Sequence, residues 1–130
     1  MKKYLAALFV TLALLLIIPA VAADKPAQRP MLRHVVAFKF KEGASAEKIT
    51  EVVNAFRALK QKISVVKNLE WGTNISPEKH DKGFTHVFTL SFESEKDRDI
   101  YAVHADHKAF GAVLGPIMAD VFVLDYWSKD

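Results

Sequence analysis

Cysteine is absent from all 130 residues. That excludes a disulfide framework, a lipid-anchored lipoprotein and any zinc site built on thiolates. A dense Lys/Arg stripe is also missing, as is any zinc-finger or RNA-binding spacing, so nothing in the chain points to nucleic acid. No internal repeat or low-complexity stretch occurs. Histidine is scarce, with five in the chain, and two of the five fall three residues apart in "YAVHADHKAF", Tyr101 to Phe110. Their spacing alone does not separate a reactive cluster from polar residues on the wet side of a helix.

The one long apolar run stands at the front. In "MKKYLAALFVTLALLLIIPAVAA", Lys2 and Lys3 precede a charge-free stretch from Leu5 to Ile18. Pro19 and the Ala20-Val21-Ala22 pattern follow, with Ala23 as a second cleavage position. This is the layout of a secretory signal peptide over residues 1–23, against the alternative of a retained membrane anchor. The protein is therefore expected to be exported, periplasmic or secreted, and free of the membrane after cleavage. The formal net charge of +3 includes Lys2 and Lys3, so the remainder carries only about +1. One domain of modest core remains, and without disulfides it must hold together by packing or by oligomerising.

Residues 24–30, "DKPAQRP", read as a flexible leader, and residues 31–130 as the domain. From Leu32 the pattern has period two: Leu32, His34, Val36, Phe38 and Phe40 share one face. Ser45 is the expected N-cap of a helix whose apolar residues Ile49, Val52, Val53, Phe56 and Leu59 recur at helical spacing to about Ile63. A strand is predicted from Val65 to Ile75, and another from Phe84 to Phe92 with His86 on its apolar side. Ser94 opens a second helix that breaks near Ala105 and Asp106 and resumes to about Ala119. The last strand is Val121 to Trp127. This order predicts an α+β, ferredoxin-like βαββαβ sandwich. The final strand, "VFVLDYW", is apolar on both faces, which implies that a second copy covers the outer sheet face in a homodimer.

In this topology the first and third strands are central neighbours, so His34 and His86 are expected side by side under the second helix. Tyr101 and His104 share a helical face, while the direction of His107 is not fixed by periodicity. Either the rings line a cavity for a small molecule, or each finds a partner in a structural network, since an unpartnered buried polar group costs about 1–3 kcal/mol. His80 reads as a solvated loop residue. A histidine-only metal site is the weaker competitor, because the spacing of His104 and His107 lacks the glutamate of a zinc-binding helix. Trp71, Phe38 and Phe110 read most simply as core, though an aromatic-lined pocket would use the same side chains, and Met118 carries no ligand signal.

"LRHVVAFKFKEG", "WGTNIS", "GFTHVFTLSFES", "YAVHADHKAF" and "VFVLDYW", in this order, resemble the stress-responsive dimeric α/β-barrel (Dabb) family over the whole domain. The resemblance implies a ferredoxin-like subunit whose sheet packs on its partner's to close a dimeric α/β barrel. Similarity to a plant polyketide cyclase of that family implies a pocket with His107 as general base and Tyr101 as its catalytic partner. His34 and His86 would bind substrate, with His104 in support. It also implies a main-chain carbonyl site for magnesium at Lys60, Ile63 and Val66, and no other cofactor. Three functions follow as expectations: a pocket binding a small oxygenated organic molecule with cyclase-like proton transfer, a non-enzymatic stress-associated homodimer, or a cofactor-free monooxygenase.

Overall fold

The computed structural model describes residues 29–129. The expected signal peptide, residues 1–23, and nearly all of the leader lie outside these. The elements run β1 (Leu32–Phe40), α1 (Ala46–Lys62), β2 (Asn68–Thr73), β3 (His86–Phe92), α2 (Glu95–Val103), α3 (Ala105–Leu114) and β4 (Met118–Trp127). The four strands form one antiparallel sheet in the order β2-β3-β1-β4. The helices pack on one face of it. Among the described residues no helix is long and apolar enough to cross a membrane.

Local chemistry sets most boundaries. Gly43 takes φ +81° in the turn after β1, a conformation that favours a residue without Cβ. Ser45 then caps α1, its Oγ accepting from Lys48 N–H at 3.2 Å. Ser94 caps α2 in the same way, accepting from Asp97 N–H at 3.1 Å. The helix break falls at His104, one residue before the expected place, because His104 closes α2 and caps α3 at once. α3 stops at Leu114 and not near Ala119, since Pro116 has no N–H to continue the helical ladder. Strand β4 consequently starts at Met118, earlier than Val121, with a register irregularity opposite Lys39 and Phe40. Both strands of the β2–β3 hairpin are shorter than expected.

The core lies between sheet and helices. Phe38 on β1, Phe56 on α1, Phe88 on β3 and Phe110 on α3 meet there, with Phe56 and Phe88 ring centroids 4.2 Å apart and Phe56 and Phe110 edge to face at 4.9 Å. Trp71 is not core. It sits on the edge strand β2, 41% exposed, with the Arg57 guanidinium 5.9 Å from its ring. An edge strand has only one neighbour to cover it, which period-two patterning does not reveal. The other sheet face carries Val35, Ala37, Val87, Phe122, Leu124 and Tyr126, by the ladder register. Phe122 is 48% exposed and Leu124 52%.

Candidate functional site

The β1–β4 ladder sets His34 directly opposite Asp125. Their side chains join, His34 Nδ1 to Asp125 Oδ1 at 2.6 Å, and Arg98 Nη1 of α2 donates to Asp125 Oδ2 at 3.0 Å. A carboxylate only accepts, so the neutral His34 ring carries its proton on Nδ1 and leaves Nε2 bare.

Tyr101 of α2 packs on His34, ring centroids 5.7 Å apart, and on His107 of α3 at 4.4 Å. His107 Nδ1 meets the Ala102 carbonyl at 3.0 Å. A carbonyl cannot donate, so His107 in its neutral form also leaves Nε2 as an unshared acceptor. The break at His104 makes this contact: it turns α3 back so that residue 107 faces the carbonyl of residue 102. Tyr101 is 1% exposed, and its hydroxyl has no hydrogen-bond partner among the described residues. Burial pushes its phenol well above the ordinary range, so it remains a protonated donor.

These three side chains stand in the wall of one cavity of about 460 Å³. The rest of its wall is nearly all apolar, supplied by Phe38, Phe56, Phe110, Leu114, Met118 and the half-exposed Val123 of β4. The arrangement offers two ring-nitrogen acceptors, one phenol donor and a greasy enclosure, in the size range of small-molecule sites. Such a set can hold an oxygenated carbon compound and move a proton on it.

His86 lies elsewhere. It shares the sheet face with His34, but pairs with Phe38, while His34 pairs with Leu90. Four residues along the strand separate the two by about 13 Å, so they are not side by side. His86 packs on Phe40 at 5.2 Å and Trp71 at 6.4 Å, and its Nδ1 meets Thr85 Oγ1 at 2.9 Å. Partial burial lowers its pKa. His104 is also outside the cavity wall: its Nδ1 accepts from Asp106 N–H at 3.1 Å as the cap of α3. Its Nδ1 is committed to holding the backbone.

Lys60 lies in the last turn of α1, Ile63 is its C-cap and Val66 follows, and the Ile63 carbonyl accepts from Val66 N–H at 3.0 Å. Among the described residues no three His, Cys, Asp or Glu side chains stand together as a metal site. Magnesium demands near-octahedral oxygen ligation, normally with carboxylates. A carbonyl oxygen has two lone pairs, so the Ile63 carbonyl keeps an acceptor position beside its hydrogen bond, and the chemistry of the cavity uses no metal.

Three contributors escape a reading by residue type: Asp125, Arg98 and Met118. Asp125 did leave a signal, since a lone carboxylate on the apolar face of a strand needs a partner.

A family model described as Stress responsive A/B Barrel Domain matches residues 32–128. A stress-response A/B barrel domain-containing protein of Arabidopsis thaliana is 34% identical over 95 residues, covering 73% of this chain and 87% of that one. Olivetolic acid cyclase of Cannabis sativa is 25% identical over 95 residues, covering 73% of this chain and 94% of the cyclase. A dimeric protein of unknown function and ferredoxin-like fold from Bacteroides fragilis aligns with a TM-score of 0.62 at 29% identity, covering 75% of this chain and 96% of that one.

Proposed function

The chain belongs to the stress responsive A/B barrel domain family, and on that premise we propose that it is an exported homodimer whose His34–Tyr101–His107 cavity binds a small oxygenated organic molecule and transfers a proton on it. The observation that carries this reading is the Tyr101 hydroxyl, buried in a cavity wall with no partner of its own. A donor left unsatisfied costs about 1–3 kcal/mol, and a ligand oxygen would satisfy it.

The proposed step is general base catalysis. His107 Nε2 takes a proton from a carbon beside a carbonyl, the C–H electron pair passes into the C–C bond, and the carbonyl oxygen becomes an enolate. The Tyr101 O–H donates to that oxygen as its charge develops. His34, held by Asp125, orients the same end of the ligand. The likeness to olivetolic acid cyclase supports carbon-acid chemistry of this kind. His107→Ala should abolish turnover of a β-keto acid, and Tyr101→Phe should weaken it, both with folding intact.

The dimer is supported by the apolar outer sheet face and by the dimeric relative from Bacteroides fragilis. Burying the exposed half of Phe122, Leu124 and Tyr126 would contribute about 1 kcal/mol each. Export rests on the pattern of residues 1–23. A second, non-enzymatic reading has its own observation: the Arg98–Asp125–His34 chain is internally satisfied and serves a stable stress-associated dimer equally well.

A further inference from the structure

We propose that Lys108 makes the cavity selective for organic acids; the proposal rests on the reading that the cavity binds a small molecule and names the class. Among the described residues Lys108 is the one permanently charged side chain in the cavity wall. It makes no ion pair among the described residues. Among the described residues no carboxylate lines the cavity to neutralise it. Asp125 stands behind His34 with both oxygens engaged. Asp106, on the same helix, lines a different crevice beside Lys62 and faces His104.

Position strengthens the charge. Lys108 follows His107 near the start of α3, at the end that carries the helix's partial positive charge. A lysine stem lies along apolar wall while its ammonium stays at the water's edge. An anion at that edge, beside low-dielectric walls, feels the cation more than it would in bulk water. Tyr101 and His107 then present a donor and an acceptor next to the bound carboxylate, and Phe38, Phe56, Phe110 and Leu114 enclose the apolar body. The ligand class is an amphiphilic organic acid, with one carboxylate, an oxygen or acidic carbon near it, and a compact apolar remainder. Cationic amines are repelled.

The test is calorimetric titration of the purified protein, at about pH 7 and low salt, with 4-phenylbutyrate and its neutral amide. The acid should bind on the order of tenfold tighter than the amide, and added salt should narrow the gap. Lys108→Gln should bring the ratio close to unity, while Lys108→Arg and the exposed control Lys96→Gln should keep it. A preference that survives Lys108→Gln overturns the proposal and leaves the cavity reading standing, as does equal binding of acid and amide by the unaltered protein. Binding of neither compound by any variant overturns both.

Discussion

Asp125 binds His34 and Arg98 at the same time, one through each carboxylate oxygen, at 2.6 and 3.0 Å. One strand and one helix are thereby tied to the first strand through a single side chain. Asp125→Ala leaves the largely buried His34 imidazole without its acceptor and the Arg98 guanidinium with Asp99 alone, and should cost about 1–3 kcal/mol in urea unfolding. Arg98→Ala, with Asp125 still holding His34, should cost under about 1 kcal/mol.

Tyr101→Phe separates a binding role from a structural one. The hydroxyl it removes has no partner, so the variant should be as stable as the parent or more so, by up to about 1 kcal/mol. A drop in melting temperature of several degrees would mean that the phenol holds the fold together. Ligand binding should weaken.

Stability should fall at both ends of the pH scale. Tyr101 ionises above its ordinary value of 10.0 when folded, because burial disfavours phenolate. Above about pH 10 the unfolded chain loses that proton and the folded one keeps it, so stability is present below this point and declines above it. His86 is held below its ordinary 6.5 by burial. Below about pH 6.5 the unfolded chain takes up a proton that folded His86 resists, so stability declines again. Denaturant midpoints across pH check this, and Tyr101→Phe should flatten the alkaline limb alone.

Much of this was legible beforehand, for physical reasons that differ by residue. Period-two alternation around His34 and helical spacing from Ile49 to Leu59 fixed which faces are buried, because burial is what patterning records. Tyr101 and His107 came through the family resemblance; spacing left His107 undirected, since its aim depends on the backbone turn at His104. The pairing register was not legible, and it alone separates His86 from His34 and sets Asp125 beside it. Trp71 was misplaced in the core for a related reason, as strand order decides which apolar residues have neighbours on both sides.

The outer sheet face makes its own prediction. Leu124→Asp places a charge in the middle of the proposed dimer interface and should shift sedimentation from dimer to monomer at micromolar concentration. The same change at exposed Ile75 should leave the oligomer unaltered.

The central claim is that His34, Tyr101 and His107 form one binding cavity, and NMR of the five histidine rings through a titration with phenolic and β-keto acid compounds tests it most directly. The account predicts that the Nε2 signals of His34 and His107 move together with one compound class, that His80, His86 and His104 stay in place, and that Tyr101→Phe weakens the response. Silence at His34 and His107 across the whole panel, or a response confined to His86, would contradict it.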